Sequence, residues 1–386
     1  MQGIVRLVCW TVLSMIPMSA RAESKGLIVI EREMVLAKGT GGDPQVIIRN
    51  RDDGFLVAGA ASGLAYAARV DAAGTVKWEY RDTEDVGPSI KEPSSSFQGA
   101  IVLPDDSVLL CGNKRIEKSQ VGLFVRIDPS GKRVDRQYLR PHKDLKYFFT
   151  NIKKCLPWGD GFAVLGDSDA GLQGGGYTGW LVKLDKNGKS EWEKTGRDFA
   201  ARNVIETSNH DLVLAMLSGD STGSSKLVRI GSSGDVLAQR VIPDSPFLFF
   251  VASVVPRDTI MLANLNSPMT TLYTLNLAFN DVVPPKKIET ILFDRAYELP
   301  NHSLAMFGKV EVTVLGIGDN SFTAAVARVD PSGKLGSAHL FKPNYESLRV
   351  IDAVPGPIAG EFVAVRGSPR SDSPRQGILV SWVSFK

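Results

Sequence analysis

Several groups of residues have types and spacing that chemistry uses. Gly219-Asp220-Ser221-Thr222-Gly223 matches G-x-S-x-G, the pattern in which a strained strand-to-helix turn exposes a nucleophilic serine. The segment that follows, Ser225 to Ile230, reads as another strand rather than a helix, so Ser221 is expected in a loop. Asp167-Ser168-Asp169-Ala170-Gly171 is D-x-D-x-G, the opening of several calcium loops, because closely spaced carboxylates supply hard oxygen ligands. The Leu-Gln-Gly-Gly-Gly that follows brings no later acidic ligand, so a solvated turn is expected and no metal site. The four histidines are His142, His210, His302 and His339. His210 and His302 fall in equivalent places, Ser-Asn-His-Asp and Pro-Asn-His-Ser, which reads as two solvent-facing turn residues. Neither H-E-x-x-H nor C-x-x-C spacing occurs, so no transition-metal site and no cofactor are expected.

Binding chemistry is better represented. A basic and aromatic stretch contains Lys114, Arg115 and Lys118, then Arg140, His142, Lys143, Lys146, Tyr147 and Phe148. Arg115, Arg140, His142, Lys143, Tyr147 and Phe148 are the predicted binding residues, suited to an acidic partner. A charged face that only keeps the chain in solution is the plainer alternative. Cys111 and Cys155 either form a bridge or are two buried free thiols that fill core positions.

These residues must be positioned by whatever elements the chain builds, and those elements repeat. An apolar strand, an Asp-x-x-Gly turn and a polar strand recur as Ala-Arg-Val-Asp-Ala-Ala-Gly at 68–74, Val-Arg-Ile-Asp-Pro-Ser-Gly at 125–131 and Val-Lys-Leu-Asp-Lys-Asn-Gly at 182–188. The copy at 228–234 has Gly231 in place of the aspartate, the copy at 273–280 is nearly erased, and the copy at 327–333 is clear again. In such a turn the aspartate side chain caps backbone amides and the glycine supplies a positive φ, so two strands meet as a hairpin. Upstream of each copy lies a second hairpin, as in Ile-Val-Leu-Pro-Asp-Asp-Ser-Val-Leu-Leu at 101–110; the others span 47–58, 156–165, 205–215, 254–263, 299–307 and 354–365. Four strands in each unit of about 45 to 57 residues describe a propeller blade.

Seven first hairpins predict an all-β, seven-bladed β-propeller of four-stranded antiparallel blades. The last unit stops at Lys386 with three strands made, while the segment 26–37 is a strand with no unit of its own. Placing it as the fourth strand of the last blade closes the ring and leaves no long edge open. The long connections are expected on one face, at 81–96, 112–120, 140–146, 167–178, 308–321 and 367–376, and function usually sits on such loops.

Val70-Asp71-Ala-Ala-Gly74-Thr-Val-Lys-Trp78 and Leu184-Asp185-Lys-Asn-Gly188-Lys-Ser-Glu-Trp192 place a tryptophan four residues after the turn glycine. This resembles the blades of the quinoprotein-like propellers. The resemblance covers nearly all of the chain as architecture, and its motifs are good in units one to three and six. It implies that Trp78 and Trp192 pack between adjacent blades. Asp135, Ala238 and Ser337 stand at that place in other units. The enzymes of that family need adjacent cysteines and a calcium-bound quinone; no Cys-Cys pair or matching ligand set occurs here, so the dehydrogenase activity is not implied.

The first 22 residues stand apart. Arg6, the apolar run 7–18 and Ala20-Arg21-Ala22 have the order of a cleaved signal peptide, too short and too broken by Pro17 to span a membrane. A single propeller domain over 23–386 is therefore expected in the periplasm or outside the cell of a bacterium. Removing 1–22 takes away Arg6 and Arg21 and no acids, so the formal charge falls from +3 to +1. That balance gives no footprint for nucleic acid. A monomer is expected, with no membrane span and with another protein or a cell-envelope ligand as partner. The functional expectation is a non-catalytic binding or scaffold protein that uses its long-loop face. The alternative is a glycan lyase or hydrolase with its active site over the central channel, which would draw acids, histidines and arginines from several blades.

Overall fold

In the computed structural model, residues 27–84, 94–116, 119–139, 149–169, 178–196, 199, 201–217, 224–244, 248–251, 259–266, 269–289, 292–313, 320–341, 350–367 and 377–386 are described. Every element among them is a strand, and the fold is an all-β seven-bladed propeller. Blade 1 comprises β2 (Gly42–Arg49), β3 (Phe55–Ala61), β4 (Leu64–Val70) and β5 (Val76–Arg81). Blade 2 comprises β6 (Ser95–Val102), β7 (Val108–Ile116), β8 (Ser119–Ile127) and β9 (Arg133–Leu139). Blade 3 comprises β10 (Phe149–Trp158), β11 (Gly161–Asp169), β12 (Thr178–Leu184) and β13 (Ser190–Gly196). Blade 4 runs through β14 (Ala201–Glu206), β15 (Leu212–Leu217), β16 (Ser225–Ile230) and β17 (Val236–Ile242). Blade 5 runs through β18 (Leu248–Val251), β19 (Thr259–Asn266), β20 (Met269–Asn276) and β21 (Asp281–Glu289). Blade 6 runs through β22 (Leu292–Glu298), β23 (Leu304–Thr313), β24 (Asn320–Val329) and β25 (Leu335–Leu340).

Blade 7 is shared by the two ends of the chain. β26 (Val350–Pro355), β27 (Glu361–Gly367) and β28 (Ile378–Phe385) are completed by β1 (Ile28–Leu36), which pairs antiparallel with β28 from Ile28↔Phe385 to Leu36↔Ile378. The first strand of each blade is innermost, around the central channel.

Middle strands are apolar on both faces because each blade is covered on both sides. In β3, Phe55 and Val57 face the seam with blade 7, while Leu56 and Ala58 face the seam with blade 2. Seven buried clusters fill seven seams. Six join consecutive blades, and the seventh packs Leu36, Val363, Val365, Ile378 and Val380 of blade 7 against Ile47, Phe55, Val57 and Tyr66 of blade 1. That cluster closes the ring.

The repeat turns work as their residues require. Asp71, Asp128, Asp185 and Asp330 accept through Oδ1 from the amides of Thr75, Lys132, Lys189 and Lys334 at 2.7, 2.9, 2.8 and 3.0 Å. Gly74, Gly131, Gly188, Gly234 and Gly333 all have φ between 81° and 91°. The nearly erased copy still makes the turn. Asn276 takes the aspartate's place, accepting from Asn280 N at 3.0 Å, and Phe279 occupies the glycine's place at φ 64°. A bulky residue in that region costs about 1–2 kcal/mol. Burial of the ring in the seam between blades 4 and 5 offsets it.

The basic residue two before Asp71, Asp128, Asp185 and Gly231 reaches the tip of its blade's first hairpin. Arg69 contacts Asp52, Arg126 contacts Asp105, and Arg229 contacts Asp211, at 3.1, 2.6 and 2.8 Å. Lys183 donates to Trp158 O at 2.5 Å. Arg69 also bridges to Asp106 of blade 2 at 3.1 Å, so the same device ties neighbouring blades.

Three expectations need correction. Residues 112–120 and 308–321 were expected as long loops, but β7 and β8 run on to pair Ile116 with Ser119, and β23 and β24 run on to pair Thr313 with Asn320. Their polar residues are strand residues. The first hairpin of blade 5 was expected to begin at Val254; its inner strand is instead Leu248–Val251, and 252–258 lie outside the described residues. Asp167 was expected in a solvated turn, but it ends inside β11, paired with Lys153 at 2.5 Å.

Candidate functional site

Six of the seven inner strands carry an irregularity at the same place. Pairing with the second strand skips one residue at Gln45, Gln98, Lys153, Arg202, Asp294 and Ile351. Such a bulge bends the strand and re-aims side chains. The effect is to bring residues from six blades into one cavity of about 350 Å³ in the channel. Gln45, Gln98, Lys153, Lys154, Asn203 and Arg295 form its polar lining, with Gly99, Cys155 and Ile351 among the rest.

The charges of this lining are arranged in a definite way. Arg295 Nε donates to Asp352 Oδ1 at 2.6 Å, and Asp352 Oδ2 accepts from Ile47 N at 3.0 Å. One buried carboxylate therefore ties blades 6, 7 and 1 together. Lys153 is held by Asp167. Lys154 donates to Val204 O of blade 4 at 3.2 Å. Confinement in the channel, reinforced by the nearby charge of Arg295, pushes the Lys154 amine down to about 8, and Asp352 opposes this only in part.

A second concavity lies at the mouth, on the face that carries the second-to-third-strand connections. It has a volume of about 620 Å³ and is walled by Gly42, Asp43, Ser62, Gly63, Ser94 and Gly367 among others. It exists because blade 1 turns from β3 to β4 through only Ser62 and Gly63, both at positive φ. The neighbouring β7–β8 hairpin extends to Ile116↔Ser119, so the blade 1 tip is a notch beside a projecting arm.

Of the predicted binding residues, Arg115 is exposed near the end of that arm, its amide donating to Ser94 O of the notch at 2.9 Å. Arg140, His142, Lys143, Tyr147 and Phe148 lie outside the described residues, as do Lys118 and Lys146. Lys114 does not belong to the patch. It points into the seam between blades 1 and 2 and is neutralised there by buried Asp82 at 2.6 Å, which Arg136 also contacts at 3.0 Å.

The other candidates resolve as follows. His210 and His302 are solvent-facing turn residues at φ 59° and 60°, each beside the glutamate four positions earlier. The 219–223 motif lies outside the described residues, and β16 follows it as a strand. Among the described residues, no group of three or more His, Cys, Asp or Glu is placed to hold a metal. Among them, too, no helix is long and apolar enough to cross a membrane.

The cysteines are bridged. Cys111 of β7 and Cys155 of β10 have Cα atoms 6.4 Å apart, across the seam between blades 2 and 3. Gly99 makes this possible. A Cβ there would fall 2.7 Å from the Cys155 sulfur and 2.9 Å from the Cys111 sulfur. Trp78 lies against Gly131 of blade 2, and Trp192 against Gly234 of blade 4, so both tryptophans pack between adjacent blades.

Sequence reading missed Lys154, Arg295 and Asp352. The available signal was a charge inside the first strand of a blade, as in Asn-Ile-Lys-Lys-Cys and Val-Ile-Asp-Ala-Val. Such a charge is out of place in a strand whose neighbours are buried on both faces.

No known protein-family model matches the chain, and no curated protein matches it. Solved structures do. The chain is similar to the Dos1 propeller, with a TM-score of 0.53 and 8% identity over 89% of this chain and 78% of that one. It is also similar to Sqt1 from Chaetomium thermophilum, with a TM-score of 0.46 and 11% identity over 89% of this chain and 96% of that one. At such identities the likeness to the Dos1 propeller shows the fold alone.

Proposed function

We propose that this chain is an exported bacterial binding or scaffold protein, periplasmic or secreted, that engages a protein or cell-envelope ligand with its long-loop face. The observation that carries this reading is the notch at the blade 1 tip. Its volume of about 620 Å³ lies within the range of ligand-binding clefts, and it is walled by small residues beside an exposed Arg115. A short tip beside the projecting β7–β8 arm offers a shaped seat for a segment of a partner, and Arg115 on that arm favours an acidic one.

Two observations support export. Residues 1–22 have the order of a cleaved signal, and Cys111 and Cys155 are joined, as suits an oxidising compartment. N-terminal sequencing of the mature protein tests the first directly: Glu23 as the first residue is expected.

For the binding function, cross-linked periplasmic extract is compared between the wild type and two variants, Ser94→Trp, which fills the notch, and Arg115→Glu, which reverses the rim charge. A partner recovered by the wild type and lost from both variants, with thermal melting unchanged, is the expected result. The same partner held equally by both variants would remove the notch from the account.

A further inference from the structure

We infer that the central channel holds a binding site for a small oxyanion ligand, a phosphate or a carboxylate, seated against Lys154 and Arg295. The channel cavity adjoins the mouth notch, with Ile351 lining both, and the inference goes beyond the partner binding proposed for the notch.

Four observations carry it. The cavity of about 350 Å³ is lined by three cations, Lys153, Lys154 and Arg295, and by three amides, Gln45, Gln98 and Asn203. Among the described residues no carboxylate contributes to that lining, so the wall is donor-rich and positive. Two acids near it among the described residues have their own partners: Asp167 with Lys153, and Asp352 with Arg295 and the amides of Ile47 and Ala353. Lys154 is left with a backbone carbonyl at 3.2 Å as its described partner. An ammonium group has three hydrogens to donate, and its positive charge in a confined space is costly without a counter-charge.

The amine's lowered pKa records this imbalance. An anion on Lys154 would correct it. The residues are also placed for recognition rather than for stability alone. They come from inner strands of five blades, each with the shared bulge at or beside the lining residue. Val46, Ile48, Leu156 and Ile351 supply an apolar part of the same wall, so the cations and amides are set among side chains that cannot solvate them. An oxyanion of one to a few carbon or phosphorus centres fits the volume. The amides supply neutral donors to oxygen atoms that the cations do not reach.

The test is titration calorimetry on the mature protein at low ionic strength, where screening is least. Inorganic phosphate and succinate are used in separate arms. Binding of one equivalent in either arm is expected, and the tighter arm identifies the chemistry. Lys154→Met keeps the length and packing of the side chain and removes the charge; it should weaken binding at least tenfold while leaving the ligand-free melting temperature within a few degrees. Gln98→Glu sets a carboxylate in the lining and should weaken binding in the same direction, so the inference can be judged even where Lys154→Met fails to fold. Absence of binding in both arms at millimolar ligand would overturn the site. So would unchanged affinity in whichever variants fold.

Discussion

The seam between blades 2 and 3 and the seam between blades 7 and 1 solve the same packing problem by different means. The first is stapled. Cys111 and Cys155 join β7 to β10, and Asn113 of β7 donates to Asn151 Oδ1 and Ile152 O and accepts from Ile152 N, at 3.0, 2.9 and 2.6 Å. Gln120 donates to Thr150 O at 3.0 Å, and a parallel pairing of Phe149 with Gln120 merges the two blades into one eight-stranded sheet. The second seam is closed without a covalent link. Apolar burial supplies most of it, with Asp352 accepting from Ile47 N and Arg32 of β1 donating to Ala72 O and Ala73 O at 2.7 and 2.5 Å. Arg32 also lies over the Trp382 ring, 3.7 Å from its centroid. The contrast places the weak point of the ring at the seam between blades 7 and 1, which no covalent link spans.

The comparison can be broken most forcefully at β1. Deleting 28–36 leaves blade 7 with three strands and exposes the edge of β28. Aggregation or a fall of well over 10 °C in melting temperature is expected. A deletion protein that melts like the wild type would refute closure by the N-terminal strand. The next effect in size is loss of the bridge. Cys111 and Cys155 are 44 residues apart, and Cys111→Ser with Cys155→Ser should cost up to about 4 kcal/mol in chemical denaturation while the ring stays closed. An equal loss of β1 protection in that double variant would mean that the seams are not independent. The smallest of the three is Asp352→Asn, which removes the charge that holds Arg295 and weakens the Ile47 bond. A loss of about 3 kcal/mol is expected, with unfolding rate rising more than folding rate falls.

What could be read beforehand was local. The Asp-x-x-Gly turns, the paired positions of His210 and His302 and the unpartnered strand at 26–37 are each specified within about ten residues, so seven blades and their closure follow from the chain alone. What could not be read depends on which blades meet. Lys114 sits in a polar run that looks like loop, yet its burial is decided by Asp82 of another blade, 32 positions away. The channel cluster needs Lys154, Arg295 and Asp352 to converge from blades 3, 6 and 7, and only a closed ring brings them together. The disulfide lies between these cases. The spacing of the cysteines allowed it, but the close approach of the two blades depended on Gly99 having no side chain. Alternation along β7 sends Lys114 inward and Arg115 outward, and a loop assignment of 112–120 hides that alternation.

Native-state hydrogen exchange followed by mass spectrometry tests the account's central claim most directly, because it measures the opening free energy of each seam in the intact protein. The account predicts that amides of β1 and β28 exchange through a partial opening of lower free energy than amides of β7 and β10. It also predicts that reducing the Cys111–Cys155 bridge narrows that difference. Protection of β1 and β28 equal to or greater than that of β7 and β10 in the oxidised protein would contradict it.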